Sequence, residues 1–219
     1  LCLVARESGR QIFIFIILVF GDHHIMIEAI SGLSSAFGLA GSAGLNAYIP
    51  LLMVALAAKF PLADPLLKLQ SPYDLLSSWW AIGIIAVLLV VEILADKIPA
   101  VDSANDAIQT FVRPAAGALL FAGSANVITD IHPILSLGAG LLVAGGVHAT
   151  KTAARPVVTV TTAGVGNPVV SVIEDIVSFV VSLLSLLLPI LAAILLLVFV
   201  GLVLFFIRRR RQRKMTAFR

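Results

Sequence analysis

Residues 171–207 form a block of 37 positions whose only charged side chains are Glu174 and Asp175, and Arg208 begins a basic run directly after it. As one straight helix this block would extend about 55 Å, whereas a bilayer's hydrocarbon core is about 30 Å thick. Pro189 is placed to kink it, or its acidic start projects from the membrane. Residues 30–59, 79–95, 114–128 and 131–149 are further apolar blocks. Apolar side chains make up 60% of the chain and charged ones 12%, against about 25% charged in soluble domains. Hydrocarbon offers the backbone no hydrogen bonds, so such blocks must satisfy their own, as helices do. The expected fold is therefore all-α: a polytopic transmembrane helical bundle of about four to six spans, with residues 26–207 as one membrane domain.

The charge is unevenly placed. Seven of the fifteen Lys and Arg fall in residues 208–219, leaving eight basic against twelve acidic side chains before them, a net of −4. A basic cluster directly after an apolar block marks a cytoplasmic end, so the tail is expected in the cytoplasm of a multi-pass protein of the bacterial plasma membrane. The same tail can dock on anionic lipid. An acidic body with a basic tail does not suit nucleic acid, which calls for a basic folded face. The single cysteine, Cys2, excludes an internal disulfide and a cysteine-rich metal site. Residues 1–25 differ from the rest, because the apolar run at 11–20 is too short to span. No signal-peptidase-like site follows it. They are expected to be a leader or start-site extension outside the fold.

Several blocks are interrupted. Residues 30–59 hold Gly32, Gly38, Gly41, Gly44, Asn46, Tyr48 and Pro50. They fit a long tilted helix or, slightly better, two half-helices meeting near Gly44–Pro50. Three prolines make residues 61–78 an interfacial loop with short helical pieces, and Trp79 and Trp80 mark the membrane boundary. Helices are expected over 79–95 and 101–112, with Ile98-Pro99 between them and Pro114 opening the next segment. Residues 153–170 are β-branched and end in Gly164, Gly166, Asn167 and Pro168. They are a weak candidate for a continuous helix and are expected to form a re-entrant segment or an exposed loop. Gly41–Pro50 and Gly145–Pro156 share small residues, a polar centre and a closing proline, a faint repeat that would pair interrupted segments in two halves.

Chemistry concentrates in Glu92, Asp96, Asp102 and Asp106. An ionised group at membrane depth is costly, so it lines a polar path or finds a partner. Glu92 and Asp96 lie one helical turn apart and share a face. With Asp102 and Asp106 they could hold a hard inorganic cation, or a proton shared between close carboxylates; if any residues bind metal, they are Glu92 and Asp96. Asp102 or Ser103 could instead cap the helix after Pro99, with Asp106 in its first turn and Lys97 and Arg113 neutralising two acids. Asp102, Asp106, Gln109 and Arg113 fall on one helical face, and Ile108 and Phe111 on another. Asn46 and Tyr48 complete the expected ion or substrate path, with Glu174, Asp175 and Asn167 as second-half counterparts. Polar groups such as His148 more often bridge helices. Lys151 and Arg155, one turn apart, are candidates for lipid or anion contact or for cytoplasmic topogenic charge. No nucleotide loop, dinucleotide fingerprint, zinc-protease pair or nucleophile elbow is present. The expectation is a non-enzymatic protein without a cofactor, working in the bilayer on a cation or a proton-coupled solute. The alternative is a lipid-handling or scaffolding membrane protein with structural acids.

Two runs carry a resemblance: Gly41-Ser-Ala-Gly-Leu-Asn-Ala-Tyr-Ile-Pro-Leu-Leu52, and the stretch from Glu92-Ile-Leu-Ala-Asp-Lys-Ile-Pro99 to Arg113-Pro-Ala-Ala-Gly117. They resemble a bacterial integral membrane family known only as a domain of unknown function, with coverage of about residues 26–206. That resemblance implies a membrane location and no particular activity. A looser likeness is to cation exporters of the lysine-exporter superfamily, some of which carry Glu-x-Gly-Asp-Lys-Thr/Ser. Here Glu92, Asp96 and Lys97 are spaced more widely, and both the glycine and the hydroxyl residue are missing.

Overall fold

A computed structural model describes residues 29–60, 69, 71–96, 99–125, 132–189, 191, 194, 198 and 201, with side chains at all of these except 99–104 and 125. The expected leader, the basic tail and Lys97 lie outside the described residues, as does the Asp102 side chain. The described residues contain helices and no strands. Helix α1 covers residues 29–43. It is followed by α2 (Tyr48–Lys59), a short 3-10 helix (Tyr73–Ser77), α3 (Trp79–Ala95), α4 (Pro99–Ala125), α5 (Pro133–Thr162) and α6 (Asn167–Leu187).

The expected half-helices are present, with the break at residues 44–47 between α1 and α2. Two local features hold it. The Asn46 Oδ1 accepts from the backbone N–H of Tyr48 at 3.0 Å and of Ile49 at 3.1 Å, which satisfies donors that the start of α2 leaves open. Gly44 lets the α5 backbone come close: a Cβ there would lie 2.5 Å from the Ala144 carbonyl oxygen. Pro50 sits in the first turn of α2, where no intrahelical donor is needed.

Elsewhere the expected interruptions are absent. α4 runs through Pro114, and α5 runs through Pro156 to Thr162. Residues 153–162 are therefore helical rather than a loop or re-entrant segment. Each proline removes one backbone hydrogen bond, and packing outweighs that loss. α4 and α5 form the most extensive helix pair, in contact where Gly117 meets Ala144 and Gly140. The β-branched stretch also satisfies its hydroxyls within the helix: Thr159 donates to Arg155 O at 3.0 Å and Thr162 to Val158 O at 2.7 Å. The helix stops where Ala163 (φ 50°) and Gly164 (φ 83°) turn left-handed. The faint repeat thus pairs a broken segment with an unbroken one.

The core is built from small and aliphatic side chains of α1 and α2 against α3, α4, α5 and α6, including Leu39, Ala43, Leu51, Val54, Leu120 and Ala144. Polarity is arranged inside out. On α6 the buried positions include Ser171, Ser178, Ser182 and Ser185, whereas Val172, Ile173, Ile176 and Val180 are exposed. On α3 Glu92 is buried, whereas Ile84, Val87, Val91 and Leu94 are exposed. Trp79 and Trp80 open α3, exposed by 63% and 85%. Among the described residues two helices, α5 and α6, are long and apolar enough to cross a membrane; α2 and α3 are apolar but shorter.

Candidate functional site: a buried ionic network

The break between α1 and α2 also opens carbonyls, and polar side chains of α5 and α6 take them up. Lys151 on α5 donates from Nζ to Leu45 O at 3.2 Å, and Ser178 on α6 donates to Ser42 O at 3.1 Å. Ser182 Oγ donates to Ser42 Oγ at 2.9 Å, and Ser35 donates to the carbonyl of Ser185. This serine seam fastens α6 to α1. The hydroxyls replace hydrogen bonds that an apolar surround would not supply.

Beside the break Glu92, Arg113, Asp106, Arg155, Glu174 and Lys151 form one chain of ion pairs, and Asp96 and Asp175 bond to asparagines near it. Arg113 of α4, fully buried, donates from Nη2 to Glu92 Oε1 of α3 at 2.9 Å, with the Glu92 side chain 1% exposed. The Arg113 Nη1 lies 3.1 Å from His148 Nδ1 and 4.0 Å from Asp106 Oδ1. Arg155 of α5 donates from Nη1 to Asp106 Oδ2 at 2.8 Å and from Nη2 to Ser171 Oγ at 2.6 Å. Lys151 pairs with Glu174 Oε2 at 2.7 Å. The Asn46 Nδ2 donates to Asp175 Oδ1 at 2.8 Å, and Asn105 Nδ2 donates to Asp96 Oδ1 at 3.1 Å. Tyr48 and Gln109 are buried as well.

Geometry assigns the His148 tautomer. An arginine only donates, so Nδ1 must accept and the proton sits on Nε2. Nε2 faces Thr110 Oγ1 at 3.2 Å, and that hydroxyl donates to Asp106 O at 2.8 Å. The imidazole in this arrangement is neutral. Among the described residues, Glu92, Asp96, Asp106, Glu174 and Asp175 stand against Arg113, Lys151 and Arg155, so acids exceed bases by two.

Most of the residues singled out in the sequence meet here: Glu92, Asp96, Asp106, Asn46, Tyr48, Glu174 and Asp175. Three assignments change. Lys151 and Arg155 are buried and paired with Glu174 and Asp106, so they present no surface to a lipid headgroup or free anion. Asn167 lies apart, donating from Nδ2 to Thr159 Oγ1 at the α5–α6 turn. Glu92 and Asp96 bind Arg113 and Asn105, and among the described residues no group of three or more His, Asp or Glu side chains is placed to hold a metal ion. The structure adds Gln109, Asn105 and the α6 serines. The serine spacing, 171, 178, 182 and 185, follows a helical face and was legible.

Residues 33–209 match the family described as "Domain of unknown function (DUF4126)". The chain belongs to this family. The match spans α2 to α6 and every network residue named above. It carries no activity and lends no support to the looser likeness to lysine-exporter transporters. No curated protein and no solved structure matches the chain.

Proposed function

We propose that this DUF4126 protein is a small multi-pass transporter or channel-like protein of the bacterial plasma membrane, moving a cation or a proton-coupled solute. Its C-terminus is cytoplasmic in this reading. One observation carries it: a group of charged side chains with two more acids than bases lies beside a broken helix, while apolar side chains face outward around it. Outward apolar faces suit lipid, and buried ionisable groups inside such a shell are the ordinary signature of an ion or proton path. A broken helix contributes open backbone carbonyls at the same place, as interrupted helices do in transporters. Inward-facing acids with amide and basic partners would be costly as decoration, because each charge loses its hydration.

The test is flux. Purified protein in liposomes should pass protons or a monovalent or divalent cation above the rate of empty liposomes, and Glu92→Gln should remove that flux while the protein remains monodisperse in detergent. Flux equal to that of empty liposomes under every gradient refutes the proposal. A second reading, a scaffolding or lipid-handling membrane protein, is favoured by the direct pairing of Glu92 and Asp106 with arginines. Loss of folding in both Glu92→Gln and Asp96→Asn, with no wild-type flux, would select it.

A further inference from the structure

Two buried carboxylate oxygens beside Arg113 have no hydrogen-bond partner: Glu92 Oε2 and Asp106 Oδ1. The Glu92 side chain is wholly enclosed, with its other oxygen on Arg113 at 2.9 Å, and the buried Gln109 Oε1 is a further acceptor without a donor. An isolated buried acceptor costs about 1–3 kcal/mol, and here the orphaned atoms of Glu92 and Gln109 are all acceptors. The Arg113 Nε is an unpartnered donor on the same guanidinium, yet it does not bond Glu92 Oε2, which is left without a hydrogen.

We propose that Glu92 Oε2 is a proton-binding site, and that Arg113 switches from Glu92 toward Asp106 when the proton is bound. The ligand is a proton delivered by hydronium: one O–H bond of H3O+ breaks, leaving water, as one O–H bond forms on Oε2, and no bond to carbon changes. In the ionised state Arg113 neutralises Glu92. In the protonated state Glu92 is neutral and its hold on the guanidinium weakens. Asp106 Oδ1, at 4.0 Å from Nη1, is then the better partner. The groups around Glu92 are Arg113 from α4, Lys151 from α5 and Tyr48 from α2, with Asp96 on its own helix. His148 is joined to Arg113 through Nδ1, so displacing the guanidinium frees that nitrogen also. α1 contributes no titratable side chain among residues 29–43. This inference deepens the transport reading and rests on it only for its purpose.

Infrared spectra of the full-length protein in detergent, over the pH range in which it stays folded, test the site directly. A carboxylic-acid C=O band that shifts slowly on transfer to D2O is expected, because Glu92 is enclosed and exposed carboxyls exchange at once. Glu92→Gln should lose that slow component, and Asp96→Asn should keep it. A slow component that persists in Glu92→Gln, or is absent from the wild type at every pH, overturns the proposal. If Glu92→Gln fails to fold, Glu92→Asp serves: the slow band must move in frequency, and an unmoved band overturns the assignment. The band can be present without proton or cation flux in liposomes under any gradient. That result upholds the proton site and removes the transport function, so the two readings fail separately.

Discussion

Asn46, in the break between α1 and α2, donates to Asp175 on α6 at 2.8 Å across 129 positions of sequence. Its carbonyl oxygen meanwhile caps α2. One amide thus fixes a local interruption and a long-range contact together. Asn46→Ala should remove a cap worth about 1 kcal/mol and a hydrogen bond to a charged acceptor worth about 1.5–3 kcal/mol. Asn46→Asp should be worse, because it sets a second carboxylate against Asp175. Thermal unfolding in detergent would show this order; equal stability of Asn46→Asp and wild type would contradict it.

Arg113 and Glu92 form an enclosed ion pair, so removing one charge strands the other. Arg113→Met alone should cost about 3–5 kcal/mol. Adding Glu92→Leu to it should recover most of the loss, since an apolar pair of similar volume avoids the desolvation cost. Chemical unfolding of the two single variants and the double variant checks the sign of the coupling. A double variant less stable than either single one would show that the pair does not carry the effect.

Gly117 and Gly140 face each other across α4 and α5, where an added Cβ would collide with Ala144 and with the opposing backbone. Gly117→Ala and Gly140→Ala should each destabilise by about 1–3 kcal/mol through overpacking. Gly138 on the same helix has nothing within 4 Å of an added Cβ, so Gly138→Ala should stabilise by about 0.5–1 kcal/mol. Melting temperatures of the three variants decide it. Similar effects at all three positions would mean that helix propensity, and not close approach, governs this face.

Trp79 and Trp80 are the only tryptophans in the chain, and both are exposed at the start of α3, with Lys59 placed 5.2 Å over the Trp79 ring. In the proposed membrane setting their rings belong at headgroup level. Lipids carrying a quencher near the headgroup should therefore quench the fluorescence more strongly than lipids quenched at the chain end. The reverse order would misplace α3, and no quenching at all would remove the bilayer from the proposal.

Periodicity and local chemistry were enough for some of this. Trp79–Ala95 is legible because an unbroken aliphatic run has one stable backbone solution, and the 44–47 break is legible because Gly44, Asn46 and Pro50 each disfavour a continued helix. The opposed faces of α4, with Gln109 and Arg113 inside and Ile108 and Phe111 outside, follow from the 3.6-residue repeat alone. Pro114 and the β-branched stretch 153–162 misled, because a proline costs about one hydrogen bond, the threonine hydroxyls bond within the helix, and the α4–α5 contact exceeds what is lost. That contact exists only after folding.

Pairing was beyond the linear chain for the same reason. The sequence by itself determined which residues are expensive to bury: Glu92, Asp96, Asp106, Lys151, Arg155, Glu174 and Asp175 were conspicuous in apolar surroundings. It could not determine their partners, since electrostatic attraction depends on distances in space between residues 9 to 129 positions apart in sequence. Only the tertiary structure decided that Lys151 and Arg155 turn inward to acids rather than outward to headgroups. A long basic side chain can reach either way, and the packed position of α6 beside α5 sets which reach is satisfied.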